Sequence, residues 1–241
     1  MHIRLSAALA ALLVSAASAN AVVYDLAADF SNASNPNGPW SYGAGLTHYP
    51  QPSMPNDLNA AAGNGYWGGG AHFFVAPFVV QVSQDGSATG PYVNGDFLTD
   101  DVVVHGYNDG STITISWTAP GAGTISFDSA FWYAHSIVQR SQDVAITLDG
   151  AALGGFVLTN GVTRSSAFTL SDSGLAVDAG DVLAFSFTKT AGQQYGSLSG
   201  ISATIDFTSS GAIPEPASWV LMIGGLALVG GTMRRRTVAF A

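Results

Sequence analysis

Apolar and polar residues alternate through the middle of the chain, and this pattern predicts β-strands. In STITISW, residues 111–117, the apolar side chains Ile113, Ile115 and Trp117 fall on one face. A period of two is typical of strands that bury one face and expose the other. The same alternation occupies residues 124–133, 143–150, 182–189 and 201–207.

Turn residues separate these segments. Pro120-Gly121-Ala122-Gly123 and Asp149-Gly150 have the chemistry of tight connections between strands. Strand segments recur about every ten to fifteen residues, and no amphipathic helix lies between them. The pattern predicts an all-β fold, an antiparallel β-sandwich of jelly-roll type. Residues 31–71 are rich in Asn, Gly, Pro and Tyr, and we predict long loops packed by their own aromatic rings.

The N-terminus has the layout of a secretory signal peptide over residues 1–21. Arg4 supplies the positive charge, residues 5–17 are apolar apart from small serines, and small-x-small cleavage sites end at Ala19 and Ala21. The alternative is a core helix of the mature protein. Export implies signal peptidase and the export machinery as partners.

The C-terminus carries a short apolar segment that predicts a transmembrane helix. Residues 217–233 contain no charge, and as a helix they would span roughly 25 Å, near the lower limit for a bilayer. Trp219 suits the headgroup layer, and Arg234, Arg235 and Arg236 would stay on the cytoplasmic side. The bulk of the chain would then lie outside the cell. The alternative is a buried core helix with a solvated basic end.

Pro214-Glu215-Pro216, followed by Trp219, the apolar segment and the arginines, resembles a PEP-CTERM sorting signal. The resemblance covers about residues 212–236 and implies a bacterial protein recognised by an exosortase, a membrane-embedded cysteine transpeptidase-like enzyme. It implies cleavage near the Pro-Glu-Pro after a transient stay in the inner membrane. Delivery to the cell surface or the extracellular matrix would follow. Thr237–Ala241 follow the arginines, where such chains usually stop.

These signals divide the chain into four parts: a signal peptide at 1–21, a β-sandwich domain at 22–207, a linker at 208–213 and the sorting signal at 214–236.

Charge and cysteine content limit the possible functions of the mature segment. Residues 22–213 hold fifteen aspartates against Arg140, Arg164 and Lys189, so 15 − 3 gives a net charge of −12. Such a surface disfavours nucleic acid and anionic lipid. The chain has no cysteine, which excludes a disulfide framework, thiolate metal sites and a cysteine nucleophile.

A second resemblance covers most of the mature chain. Four stretches follow in an order similar to one group of exported PEP-CTERM proteins with a carbohydrate-binding-type β-sandwich. They are residues 29–43, 101–106, 115–127 and 175–187. The resemblance implies the fold and an ancestry among binding modules, and it names no ligand.

Aromatic residues in polar loops are the candidate ligand contacts. Sugars present C–H faces that pack on exposed aromatic rings, and binding residues tend to lie on loops. The candidates for glycan contact are Trp40, Tyr42, Tyr66, Trp67 and Tyr92. The alternative is that the same rings close the ends of the sandwich.

Catalytic chemistry has weaker support. Asp96, Asp100 and Asp101 cluster in sequence near His105, and the pair Asp101 and His105 would face the same side of one strand. Such a pair would be the one to test in a polysaccharide hydrolase or lyase. No metalloprotease or nucleophile-elbow motif is present, and the histidines are too dispersed for a metal trio. We therefore predict a non-catalytic protein with no cofactor and no metal. A secreted enzyme and a purely structural matrix protein remain the alternatives.

Overall fold

The computed structural model describes residues 20–31, 33–44, 47–48, 67–68, 77–83, 85–86, 94–135, 139–210 and 222–226. The predicted signal peptide and most of the predicted sorting signal lie outside these residues, although residues 222–226 are helical. None of the helices in these ranges has both the length and the apolar character needed to cross a bilayer.

Ala21–Ser209 form one unit, which is built from antiparallel strands. In chain order the strands are β1 (Ala21–Asp25), β2 (Trp40–Ala44), β3 (Thr47–His48), β4 (Trp67–Gly68), β5 (Phe78–Gln81), β6 (Val102–His105), β7 (Ile113–Thr118), β8 (Gly123–Tyr133), β9 (Ser141–Leu148), β10 (Ala151–Thr159), β11 (Phe168–Val177), β12 (Val182–Lys189) and β13 (Leu198–Ser209). A single turn of 3₁₀ helix, Arg164–Ser166, precedes β11.

The strands pair into two sheets. Sheet A has the order β11-β8-β13-β6-β5-β4, with β1 also paired to β13, and sheet B has the order β10-β9-β12-β7-β2-β3. The prediction of an all-β antiparallel sandwich is confirmed. All five alternating segments of the sequence form strands, namely β7, β8, β9, β12 and β13.

The alternation buries one face of each sheet against the other. Trp117 on β7 and Phe185 on β12 are fully buried, and the Phe127 ring on β8 packs edge-on against Phe185 at 6.5 Å between centroids. Burying such rings removes a large apolar area from water, which makes this layer the main source of stability.

The prediction of long loops over residues 31–71 was wrong at β2. Trp40 pairs with Trp117 and Tyr42 with Ile115, so this segment continues sheet B beyond β7. The alternation of Trp40 and Tyr42 with Ser41 and Gly43 carries the strand signal. This alternation is only four residues long. The surrounding Pro, Asn and Gly residues favour a loop, so the strand was not predicted.

A second apolar layer covers the outer face of sheet A. Val103 on β6 and Trp132 on β8 point away from the main core and pack with Phe97, from the segment 94–101. The strand β6 is therefore buried on both faces, as its unbroken valine run requires. This outer layer supports the site described below.

The two ends of the sandwich differ. At one end β6, β8 and β12 finish while β7, β9 and β13 begin, because Leu198 pairs with His105 and Ser199 pairs with Tyr133. We call this the loop end. At the other end Ala21 pairs with Thr208, so β1 begins where β13 finishes.

Candidate functional site

A cleft of about 570 Å³ lies at the loop end, beside the outer face of sheet A. Its walls come from the segment 94–101, the residues that end and follow β8, and the connection from β10 to β11. The lining residues are Asp96, Leu98, Tyr133, His135, Asn160, Thr163, Arg164 and Ser165. Most of them carry hydrogen-bonding groups.

Arg164 is fixed from two sides. Its Nε and Nη2 donate to the two carboxylate oxygens of Asp101 at 2.9 and 3.1 Å, a bidentate pair. Its backbone N–H donates to Asp96 Oδ2 at 2.6 Å. The hydrogen bonds that the guanidinium donates to Asp101 raise its pKa further above its usual value, so it carries a full charge. Arg164 therefore presents its remaining N–H groups from a fixed position.

Trp132 forms the floor beneath this arginine. Its indole ring lies 5.6 Å from the guanidinium carbon, within the range of a cation–π contact. Its Nε1–H donates to the carbonyl of Asp96 at 2.6 Å, which holds the segment 94–101 against sheet A. Gly200 on β13 makes room for the ring, because a Cβ there would lie 2.0 Å from Trp132 Cε2. Gly200 thus allows the Trp132 ring to lie at this position. The ring in turn holds Asp96 through a hydrogen bond and contacts the Arg164 guanidinium.

The connection from β10 to β11 is folded on itself. The Thr163 and Ser166 side chains form a capping box around the 3₁₀ turn, and the Val162 N–H donates to Thr159 O at 2.9 Å. The carbonyl of Val162 in turn accepts from the Tyr133 N–H at 2.8 Å. These bonds hold Asn160 and Thr163 at the mouth of the cleft.

Two histidines near this end are buried and neutral. Burial, with the charge of Arg140 as a smaller cause, lowers the pKa of His135 to about 4. Burial also lowers the pKa of His105 to about 4, although a bond to the Gly106 carbonyl acts the other way. His105 Nδ1 lies 2.9 Å from that carbonyl oxygen and therefore carries the proton.

The two histidines predict a loss of stability in mild acid. The unfolded chain binds protons at these side chains below pH 6.5, whereas the folded chain does so only below about pH 4. Stability therefore falls as the pH falls through this window. Between pH 6.5 and 4.5 we expect the free energy of unfolding to drop by about 2 kcal/mol for each histidine. Chemical denaturation at the two pH values measures it.

The control is His135→Asn, which should remove about half of the pH dependence while His105 keeps the rest. The Asp85 and Asp109 carboxyls also have lowered pKa values, so their contribution is lost only below this window. An unfolding free energy that stays flat from pH 6.5 to 4.5 would contradict the burial of both histidines as neutral groups.

Three of the five predicted glycan-contacting rings are core residues, which corrects their assignment as surface contacts. Trp40 and Tyr42 are 0% exposed and Trp67 is 4% exposed. The Trp67 Nε1–H donates to Ser31 O at 2.7 Å, and burial raises the pKa of the Tyr42 hydroxyl. All three rings pack in the main core cluster, so their burial favours the alternative of a structural role over glycan contact. Tyr66 and Tyr92 lie outside the described residues.

The Asp101 and His105 pair does not form. Four residues of extended strand separate them by about 13 Å, so sharing a face does not bring their side chains together. Asp101 is engaged by Arg164 and by the Leu98 N–H, while His105 is buried beside the Phe78 ring at 5.4 Å. Asp96 reaches the cleft, as the carboxylate that accepts from Arg164.

Arg164, Asn160 and Tyr133 line the cleft but were not predicted from the sequence as site residues. Arg164 carried a signal, since it is one of three cations in a domain with fifteen aspartates. Tyr195 also carried one, because it stands in a Gln-Gln-Tyr-Gly loop between two predicted strands. Its ring is 42% exposed at the loop end, and the Arg140 guanidinium lies 4.9 Å from it.

A metal site has no support in the part of the chain that the structure describes. No group of three or more His, Cys, Asp or Glu side chains there is placed to hold an ion.

Comparisons with known proteins return neither a matching family model nor a matching curated protein. The solved structures similar to this chain include carbohydrate-binding modules and an exo-β-1,3-galactanase from Phanerochaete chrysosporium, which is 13% identical, with 43% of this chain and 23% of that chain covered and a TM-score of 0.25. The C-terminal family 6 module of a marine laminarinase from Zobellia galactanivorans is 18% identical, with 43% of this chain and 78% of that chain covered and a TM-score of 0.25. A family 36 module of a multidomain xylanase from the hindgut metagenome of Trinervitermes trinervoides is 16% identical, with 54% and 96% covered and a TM-score of 0.29. A family 35 module from Clostridium thermocellum is 13% identical, with 78% and 98% covered and a TM-score of 0.29.

Proposed function

We propose that this chain is an exported bacterial surface or extracellular-matrix protein that binds polysaccharide at the cleft without catalysis. The observation that carries the proposal is the composition of the cleft, in which fixed donors, acceptors and hydroxyls surround one apolar wall. A polysaccharide presents many hydroxyls and small apolar faces and so matches such a surface.

Each wall offers a different interaction. Arg164 supplies N–H donors, Asp96 supplies carboxylate acceptors, and the Asn160 amide supplies both. Leu98 is 46% exposed and offers an apolar face to the C–H side of a sugar ring. The charge of Arg164 is balanced by Asp101, so the site favours a neutral sugar over a strongly charged one.

We propose binding without catalysis because of the number and placement of the carboxylates at the cleft. Most glycosidases place two carboxyl groups across the scissile bond, one as an acid and the other as a base or nucleophile. Asp96 is the carboxylate among the lining residues, and Asp101 behind it is held by Arg164. A binding role uses this arrangement as it stands, whereas hydrolysis would need a second free carboxylate.

The position of the cleft fits a chain that is tethered by its C-terminus. The strand β13 runs from Leu198 at the loop end to Ser209 at the opposite end, a length of about 36 Å for eleven steps. The sorting signal follows Ser209 in sequence. In our proposal the cleft lies at the end of the sandwich opposite Ser209, and polysaccharide can reach it both before and after sorting.

Asn160→Ala tests the cleft directly. Asn160 is exposed and lines the cleft, so the substitution should leave the fold intact. Losing one or two hydrogen bonds to a sugar should cost about 1.4 kcal/mol, which raises the Kd about tenfold. The measurement is calorimetric or pull-down binding of the host's own extracellular polysaccharide to the protein recovered from the host.

The matched control is Ser173→Ala, a polar-to-alanine change at an exposed position of β11 outside the cleft, which should leave the Kd unchanged. Equal loss of affinity in both variants would place binding elsewhere. Failure of the wild type to bind any polysaccharide of its host would support the purely structural alternative instead.

A further inference from the structure

Asn-Gly dipeptides occur at three places in the described part of the chain. They are Asn37-Gly38, Asn94-Gly95 and Asn160-Gly161. Asparagine before glycine is prone to lose its side-chain amide, because a glycine without a Cβ lets its own backbone nitrogen approach the asparagine side chain. The three dipeptides are chemically identical, so the fold around each of them decides where this reaction can occur.

The first two dipeptides are held by the fold. The Asn37 Nδ2 donates to Asp29 O at 2.9 Å, and its Oδ1 accepts from Ser34 Oγ at 3.2 Å, so the amide is fixed at both of its ends. The second dipeptide is packed at its glycine, where a Cβ on Gly95 would lie 2.2 Å from Phe97 Cε1. At both places the reaction would first have to break native contacts.

The third dipeptide is open on all sides. Asn160 and Gly161 are exposed and form the middle of a turn, which the Val162 N–H closes by donating to Thr159 O at 2.9 Å. Neither the Asn160 amide nor the Gly161 N–H forms a hydrogen bond with a described group. A Cβ on Gly161 would meet nothing within 4 Å. The Asn160 side chain can therefore turn toward the Gly161 nitrogen without disturbing the sandwich.

We propose that Asn160 is a modification site, at which the side-chain amide is converted to a carboxylate with loss of ammonia. The Gly161 nitrogen bonds to Asn160 Cγ, the bond from Cγ to the amide nitrogen breaks, and ammonia leaves with the proton of the Gly161 N–H. Water then adds its hydroxyl to one of the two carbonyls of the succinimide ring and returns a proton to the ring nitrogen. Addition at Cγ gives aspartate, and addition at the backbone carbonyl gives isoaspartate.

Both products change the cleft. Each replaces a neutral donor by a carboxylate in a cleft that Asp96 also lines. Isoaspartate in addition lengthens the backbone by one methylene just before Val162, whose carbonyl accepts from the Tyr133 N–H at 2.8 Å. The consequence for ligands rests on the proposed function: the converted protein should bind polysaccharide about tenfold more weakly, as for Asn160→Ala.

The test is incubation of the protein recovered from its host in mildly alkaline buffer, followed by proteolytic digestion and mass spectrometry. Trypsin releases residues 141–164 as one peptide, in which Asn160 is the single asparagine. We expect Asn160 to convert at least about tenfold faster than Asn37 and Asn94, whose contacts must first open. The rate should rise about tenfold per pH unit above neutrality, because the attacking nitrogen must first lose its proton to hydroxide.

Two controls separate the effect of the fold from that of the sequence. In denaturant the three asparagines should convert at similar rates, since each precedes a glycine. Gly161→Ala has room for its methyl group and should leave the fold intact, while slowing conversion of Asn160 about tenfold by restricting the backbone. Equal rates at the three asparagines of the folded protein would overturn the proposal. So would a Gly161→Ala variant that reacts as fast as the wild type.

Bound polysaccharide distinguishes this proposal from the proposed function. A sugar that is hydrogen-bonded to the Asn160 amide holds it away from the Gly161 nitrogen. With the host's extracellular polysaccharide at ten times its Kd, only about a tenth of the sites stay empty, so conversion should slow about tenfold. An unchanged rate in a protein that binds the polysaccharide would overturn the role of Asn160 in the cleft and leave the modification site standing. Asn160→Asp that binds like the wild type would overturn the expected loss of affinity.

Discussion

Gly200→Ala is expected to destabilise the sandwich by about 3 kcal/mol, near the upper end for overpacking a core. The added methyl group would lie 2.0 and 2.2 Å from Trp132 Cε2 and Cζ2, far inside van der Waals contact. The ring is buried and its Nε1–H is bonded to the Asp96 carbonyl, so it cannot turn away without breaking that bond. The measurement is the midpoint and free energy of chemical unfolding.

The same substitution should weaken polysaccharide binding beyond its effect on stability. If Trp132 moves, the segment 94–101 loses its anchor, and Asp96 and the Arg164 backbone lose their 2.6 Å contact. Affinity measured on the fraction that remains folded should therefore fall as well. A purely global effect would lower the amount of folded protein and leave its Kd unchanged.

Gly121→Ala is the matched control, since a Cβ at Gly121 would meet nothing within 4 Å. It lies in the turn between β7 and β8, at the end of the sandwich opposite the cleft. We expect its unfolding free energy to stay within about 0.5 kcal/mol of wild type. If Gly200→Ala unfolds at the same denaturant concentration as Gly121→Ala, Trp132 is not packed against β13 as described.

The sheets were predictable because their signal is local. The strands β7, β9 and β12 alternate over six to eight residues, and each such segment reports its own buried face. The strand β6 gave no alternation, since Val103 packs outward in a second layer that only the folded chain creates. Its unbroken valines were consistent with a strand buried on both faces.

The cleft was not predictable because its contacts are distant in sequence. The Arg164 side chain meets Asp101 across 63 positions, and its backbone meets Asp96 across 68. No window of sequence contains both partners. The aspartates near residue 100 and the scarce Arg164 were each visible in the sequence, but nothing in it linked them to one another.

Three of the five aromatic candidates, Trp40, Tyr42 and Trp67, were wrong for a related reason. A ring in an Asn- and Gly-rich segment suits a binding loop and also a core plug, and composition does not distinguish them. Trp40 is a plug because β2 pairs with β7 and turns the ring inward. Tyr195 is exposed because the connection from β12 to β13 carries it beyond the sheets, with Arg140 packed on its ring.

Substitution of Pro214-Glu215-Pro216 by three alanines is expected to abolish processing of the C-terminal tail. Because proline is disfavoured within helices and favours an extended backbone, we expect the two prolines to keep this site open to a protease. Alanines would let a helix extend through the site instead. The wild-type protein recovered from the host's surface or medium should have an intact mass that ends near residues 214–216. The variant should keep residues 217–236 and stay with the inner membrane.

Deletion of Thr237–Ala241 provides the control for this prediction. These residues follow the arginines, where PEP-CTERM tails usually stop, so removing them should leave processing and delivery unchanged. A triple-alanine variant that reaches the surface with the wild-type mass would contradict the sorting signal. A wild-type mass that includes Trp219 to Arg236 would make the segment a permanent anchor, and the cleft would then act at the membrane rather than in the matrix.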